Sequence, residues 1–213
     1  MSTRICDELA ASMPSPPPPA PLGPPVPFEL TDDYWDMARQ IAGSRKRSAG
    51  LRGGYLGADS PEGRACFERF EAGRGTYLWG PPGRGKTWAA ACCVRLAVER
   101  RRRARLVTAK ALLDEVKAEW DGGEKGTLER AEGYDLLALD DLGMERPTGW
   151  AIETLTGLID ARTAAGLPTV YTSNYSTGQL RDLWGGVQGD RVASRIAGTC
   201  ERVEMTGPDR RLA

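Results

Sequence analysis

The sequence contains no histidine. That absence excludes Ser-His-Asp and Cys-His catalysis, histidine metal ligation and histidine pH switching, leaving carboxylates, Lys, Arg and backbone groups to carry any chemistry. Net charge is absent too. The 29 Lys and Arg residues balance 29 Asp and Glu, so binding of nucleic acid has to come from local patches. The five cysteines (Cys6, Cys66, Cys92, Cys93 and Cys200) form no C-x-x-C pair, which argues against structural zinc. Cys92 and Cys93 lie in an Ala-rich run and read as small core residues. No apolar run approaches the roughly 18 residues of a membrane span. The N-terminus lacks the apolar core of a signal peptide, so the expectation is a cytosolic protein with reduced thiols and no membrane contact.

What is present falls into three parts. Residues 1–30 read as a disordered tail or linker, because nine of the fourteen positions from Pro14 to Pro27 are proline, which removes N–H donors and favours polyproline II. An SH3-type ligand is the other reading of such a tract. Residues 31–64 read as a short extension: TDDYWDMARQIA predicts a helix capped by Thr31, and the basic, Gly-rich GSRKRSAGLRGG a mobile loop. Ser60-Pro61-Glu62 then signals a further helix start. From residue 65 to 213, strand and helix alternate. Strands are predicted at 76–79, 104–108, 136–140, 168–172 and 201–205, with helices near 86–102, 109–119, 125–132, 148–165, 176–184 and 189–197. Such alternation implies an α/β fold whose parallel sheet is covered on both faces, with a ligand at the strands' carboxyl ends.

The first chemical motif is GPPGRGKT, residues 80 to 87. It fits G-x-x-x-x-G-K-[ST], in which glycines let backbone N–H groups face a polyphosphate, a lysine reaches its β and γ phosphates, and a hydroxyl meets Mg²⁺. Gly80, Pro81, Pro82, Gly83, Arg84, Gly85, Lys86, Thr87 and the adjoining Trp88 are therefore the candidate ATP-binding residues. A chance Gly/Pro turn is the alternative, and the full eight-residue fit weighs against it. The second motif, YDLLALDDLG, is a buried strand ending in two carboxylates whose desolvation calls for a cation. Asp140, with Thr87, is the candidate Mg²⁺ ligand, and Asp141 the group that polarises an attacking water. Asn174, at the end of PTVYTSN, can offer its amide to the γ-phosphate and to that water, although Ser-Asn after a strand is also ordinary turn chemistry. Arg191 and Arg195 stand four apart on one helical face, either as solvated arginines or with one reaching a neighbouring subunit's phosphate. Arg210 and Arg211 follow the last strand, placing a cation near the phosphate edge.

Taken in order, WGPPGRGKT, LLALDDLG, WAIETLTGLIDAR, PTVYTSN, GDRVASRI and GPDRR resemble the DnaC/IstB family of AAA+ ATPases over about residues 65 to 213. The resemblance implies a P-loop NTPase fold with five parallel strands in the order 5-1-4-3-2, a lid absent or reduced, and Mg-ATP shared at one edge with the next subunit of an oligomer. It assigns Lys86 and Thr87 to Walker A, Asp140 and Asp141 to Walker B and Asn174 to sensor 1. Arg195 becomes the arginine finger, with Arg191 behind it, and Arg211 becomes sensor 2. Family members load replicative helicases onto single-stranded DNA or help a transposase choose its target. The expectation is thus an ATPase with a replicative helicase and single-stranded DNA as partners. A transposition helper, a nucleotide-gated adaptor and a small-molecule kinase are the alternatives. The short, proline-bearing region before the P-loop departs from the helicase loaders, which carry a helicase-binding domain there. Arg100 to Arg103 read as a solvated helix end that suits the dipole, or as contacts to DNA phosphates helped by Lys110 and Lys117.

Overall fold

The computed structural model describes residues 32–145 and 147–210. The Pro-rich tract, Cys6, Thr31, Arg146 and Arg211 lie outside them. The chain divides into two units, residues 1–36 and 37–213. Of the first, only residues 32–36 are described; they form the opening of helix α1 (Asp32–Ser48), where Tyr34 and Trp35 meet edge to face at 5.5 Å.

In the larger unit, α2 (Pro61–Glu71) precedes β1 (Gly75–Trp79), α3 (Lys86–Glu99), β2 (Ala104–Thr108), α4 (Ala109–Ala118), α5 (Thr127–Gly133) and β3 (Leu136–Leu142). Helix α6 (Gly149–Ala164), β4 (Thr169–Ser173), α7 (Thr177–Trp184), α8 (Gly186–Thr199) and β5 (Cys200–Glu204) complete it. All four strand pairings are parallel and the order is β2-β3-β4-β1-β5, the order 5-1-4-3-2 read from the opposite edge. Leu136 to Leu139, Val170 and Tyr171 are buried in the middle of the sheet. They separate two apolar clusters, one beneath α2 and α3, the other beneath α4, α6, α7 and α8.

The basic stretch expected as a mobile loop is not one. Helix α1 continues through Ser48, Ala49 and Leu51 are buried in the core, and the Ala49 carbonyl accepts the Leu106 N–H at 2.8 Å. That bond covers the edge strand β2, which would otherwise present unpaired backbone groups. Apolar Ala49, Leu51 and Ala58, scattered among charges, carry no period that a sequence reading could detect.

Helix α3 is lined on nearly all sides by small residues, with Ala89, Ala90, Ala91, Cys92, Cys93 and Ala97 fully buried between the sheet and α2. Burial pushes the thiols upward, Cys66 to about 11 and Cys93 well above the ordinary value, so they act as packing groups. A Cβ at Gly63 would lie 2.4 Å from Cys92 Cβ and 2.8 Å from the Ala89 carbonyl oxygen. Ala in an exposed helix site gains up to about 1 kcal/mol over Gly, whereas overpacking costs about 1–3 kcal/mol. Gly63→Ala is therefore expected to lower stability by about 1–2 kcal/mol in urea unfolding. Gly157→Ala in α6, where nothing lies within 4 Å of the added Cβ, is expected to raise it by up to about 1 kcal/mol. Equal effects would contradict the packing.

Two polar devices secure the ends of the sheet. Arg162 is 1% exposed; it donates to Thr169 Oγ1 at 2.8 Å and to the carbonyls of Ala131, Tyr134 and Pro168 at 2.8–2.9 Å. Burial pulls its pKa down to about 10, so it stays charged, and the carbonyls at the end of α5 offset that charge. At α3's end, Arg101 takes C′ of a Schellman motif: its N–H bonds the Val98 carbonyl, and Arg102 N–H bonds that of Ala97, both at 2.9 Å. Its φ is 60°, a left-handed value that suits Gly and costs other residues about 1–2 kcal/mol.

Candidate nucleotide site

The loop between β1 and α3 opens at the carboxyl ends of the strands, as a parallel sheet dictates. Gly80 holds φ at 140°, and a Cβ there would meet the Met205 carbonyl oxygen at 2.6 Å; glycine lets the loop pass this close. Lys86 starts α3 and is 6% exposed. Its ammonium donates to the Gly80 and Pro81 carbonyls at 2.7 and 2.9 Å and to Asn174 Oδ1 at 2.8 Å. The loop is thereby tied to the end of β4. Asn174 Nδ2 contacts Met144 Sδ at 3.4 Å.

The two aspartates differ because of a bulge. Leu139 pairs with Tyr171 but Leu142 with Ser173, so β3 has one residue more than β4 across this interval and its pleat reverses. Asp140 stays buried at 4%. Its carboxylate accepts the Thr87 hydroxyl at 3.0 Å and the Thr172 hydroxyl at 2.5 Å. Asp141, with φ 56°, turns out to solvent at the cavity wall, and its N–H is held by Thr172 Oγ1 at 2.9 Å. Burial raises the Asp140 pKa, the hydrogen bond from Thr172 opposes this, and the Asp141 charge adds to it. A buried carboxylate beside a second one, facing a Thr hydroxyl, is a donor set that suits a hard divalent cation. Thr87 and Asp140 are the residues that would hold Mg²⁺. Among the described residues no cluster of three or more Cys, Asp and Glu offers another metal site.

These groups surround a cavity of 680 Å³, within the range of about 300–1,000 Å³ usual for small-molecule sites. Of the residues singled out in the sequence, Pro82, Gly83, Arg84, Gly85, Lys86, Thr87, Trp88, Asp141 and Asn174 line it. Gly80, Pro81 and Asp140 join through their bonds to Lys86 and Thr87. Arg211 lies outside the described residues; Arg210 lines the wall instead, its N–H bonded to the Gly83 carbonyl at 2.8 Å and its guanidinium to Glu62 at 2.5 Å. Arg191 and Arg195 are not at this cavity. Both bind Asp160 of α6, Arg195 Nε at 2.8 Å, and their side chains are about half exposed, 50% and 49%.

Sequence reasoning missed one wall. Tyr55, Asp59, Ser60 and Pro61 face Trp88 across the cavity; the Tyr55 and Trp88 rings lie 5.8 Å apart and the Trp88 indole N–H bonds the Asp59 carbonyl at 3.0 Å. Ser60 caps α2 by accepting the Gly63 N–H at 3.0 Å. The capping signal was visible, but the packing of α2 on α3 that brings it to the P-loop was not. Glu145 was missed as well. It is buried, accepts Gly143 N–H at 2.8 Å and Trp184 Nε1–H at 3.1 Å, and so holds the turn that carries Met144; burial raises its pKa.

The sequence matches the family model for IstB-like ATP binding proteins over residues 67–213. The chain belongs to that family. Its replication relatives include the replicative helicase loader DnaI of Bacillus subtilis (strain 168), 28% identical over 134 residues, which are 62% of this chain and 43% of the relative. A protein of Mycobacterium tuberculosis (strain ATCC 25618 / H37Rv), named for ATP binding and for its insertion sequence, is 28% identical over 153 residues, 69% of this chain and 59% of that one. The chain thus spans about half the length of these curated relatives. Among solved structures, DnaI superposes with a TM-score of 0.60 at 26% identity, covering 75% of this chain and 91% of that one. The DnaC helicase loader gives 0.59 at 26%, covering 68% and 86%. AMPPCP-bound DnaA from Aquifex aeolicus, 20% identical with a TM-score of 0.60 over 76% of this chain and 53% of that one, shares the AAA+ P-loop fold. Within the described residues no helix is long and apolar enough to cross a membrane.

Proposed function

We propose that this member of the family is a cytoplasmic ATPase that assists DNA replication, acting on single-stranded DNA and a replicative helicase in the manner of a helicase loader. The observation that carries the hydrolytic reading is the convergence on one cavity of Lys86, Thr87, Asp141 and Asn174, with Asp140 behind them. Lys86 binds the β and γ phosphates, Asn174 orients the terminal phosphate and the attacking water, and Asp141 accepts that water's proton. Mg²⁺, when bound, neutralises phosphate charge. Tyr55 and Trp88 give the cavity an apolar end suited to a nucleobase. Among the described residues, the single helix α6 between β3 and β4 leaves no arginine-rich lid there, which disfavours a small-molecule kinase.

Asp141→Asn is expected to bind Mg-ATP with near wild-type affinity and to hydrolyse it at least about 100-fold more slowly, since an amide cannot accept the proton. Asp140→Asn is expected instead to weaken the Mg²⁺-dependent part of binding. Nucleotide titration with and without Mg²⁺, beside phosphate release, separates the two; identical losses in both variants would contradict the division of roles.

The partner assignment rests on the likeness to DnaI and DnaC. The insertion-sequence relative and the family match favour a second reading, a transposition helper that selects target DNA, and a nucleotide-gated adaptor with little turnover is a third. Co-purification decides among them: the helicase of the same genome should be retained with ATP and a transposase should not. Retention of the transposase alone would replace the first reading by the second, and ATP-dependent retention without turnover would favour the third.

A further inference from the structure

We propose that a groove between α1 and the turn joining α3 to β2 binds the phosphate backbone of single-stranded nucleic acid. The site lies at the amino-terminal end of the sheet, opposite the nucleotide cavity, and the inference rests on the reading that the protein acts on DNA. The groove encloses 640 Å³. Arg45, Arg101 and Arg102 rim it, and Ile41, Val98 and Tyr134 supply apolar surface beneath them.

Charge is distributed unevenly around this groove. Arg100 is paired with Glu71 at 3.1 Å, Lys46 with Glu99 at 2.7 Å and Arg103 with Asp135 at 3.7 Å. The guanidinium groups of Arg45, Arg101 and Arg102 are exposed and make no ion pair or hydrogen bond with the described residues. Among the described residues, neutralisation of the neighbours leaves Arg45, Arg101 and Arg102 without an ion pair on one concave surface. Such a surface attracts a polyanion through counterion release. Lys110 and Lys117, which the sequence suggested as helpers, are otherwise engaged, the first with Asp114 at 2.6 Å and the second over the Trp150 ring at 4.9 Å. Arg45 of α1 takes that part.

Arg101 supplies the second, independent observation. The backbone at C′ of α3 is left-handed, with φ 60°, where glycine closes the same motif without strain. The chain carries an arginine there, and its guanidinium makes no hydrogen bond or ion pair with the described residues in return for that strain. Backbone strain retained without structural return is characteristic of binding positions. The apolar floor distinguishes a single strand from a duplex, because unpaired bases can lie against Ile41 and Tyr134 while phosphates meet the rim.

The variant Arg101→Gly separates binding from folding, since it relieves the strain while deleting the cation. Fluorescence anisotropy with a labelled thymidine oligonucleotide is measured on the full chain from low to high salt, beside a duplex of equal length. Arg202→Ala on β5, at the opposite sheet edge, serves as the charge-matched control. Arg101→Gly should keep or raise the unfolding midpoint. It should bind the oligonucleotide about fivefold more weakly at about 0.1 M salt, with the slope of log K against log salt reduced by about 0.7. Arg102→Ala should weaken binding similarly and Arg202→Ala leave it unchanged. Salt-dependent oligonucleotide binding that Arg101→Gly and Arg102→Ala do not alter would overturn the groove while sparing the DNA reading. Absence of binding by the wild type would remove that reading and the groove with it. Preference for the duplex, or displacement of the oligonucleotide by polyglutamate as effective as by unlabelled strand, would overturn recognition of a single strand.

Discussion

Lys86→Ala is expected to lower ATP affinity by at least about 100-fold and to abolish turnover. Lys86 is 6% exposed and its ammonium is held by the Gly80 and Pro81 carbonyls and Asn174 Oδ1, so its charge is already positioned on the loop proposed to hold a polyphosphate. A charge-assisted contact in a largely water-excluded site is worth more than its exposed counterpart, and alanine leaves phosphate charge without that fixed partner. The substitution also releases Asn174 from the loop, which loosens the group assigned to the terminal phosphate. Binding of a fluorescent ATP analogue, with thermal melting to establish that the fold is intact, measures the effect. Wild-type affinity in a folded Lys86→Ala chain would mean that the loop does not hold the nucleotide.

Arg195→Ala is expected to leave nucleotide binding nearly intact and to reduce hydrolysis by about 10³-fold, the scale of a lost arginine finger. Arg195 does not line the cavity of its own chain. Asp160 holds its Nε at 2.8 Å and also holds Arg191, so the two guanidinium groups are presented together on an exposed face of α8. We propose that a group so placed serves ATP bound by another subunit, which requires self-association. Mixing tests this. Excess Lys86→Ala subunits, which keep Arg195, should partly restore hydrolysis by Arg195→Ala subunits. Confirmed mixed oligomers without rescue would mean that Arg195 acts within its own chain or takes no part, and Arg191 would become the candidate.

The legible parts of this protein were those written in local patterns. GPPGRGKT announced a phosphate loop because its spacing is itself the geometry, and the apolar run before Asp140 announced a central buried strand. All five strands lie within two residues of their expected bounds. The bulge at Asp140 and Asp141 was not legible, since it arises from the register of β3 against β4, and it is what gives two adjacent aspartates opposite environments. Nor was the embedding of Ala49, Leu51 and Ala58, whose burial is decided by β2 and α3. The shared hold of Asp160 on Arg191 and Arg195 joins α6 to α8, a contact absent from any single window of sequence. These misses belong to tertiary packing, whereas the continuation of α1 through Ser48 was a local helical signal read as loop.

The most direct test of the account is phosphate release from Mg-ATP by the purified wild-type chain, with and without single-stranded DNA, using Lys86→Ala and Asp141→Asn as comparators. The account predicts saturable turnover by the wild type, none above background for Lys86→Ala, and at least about 100-fold less for Asp141→Asn despite retained binding. Equal turnover by all three proteins would place hydrolysis outside this cavity and contradict it.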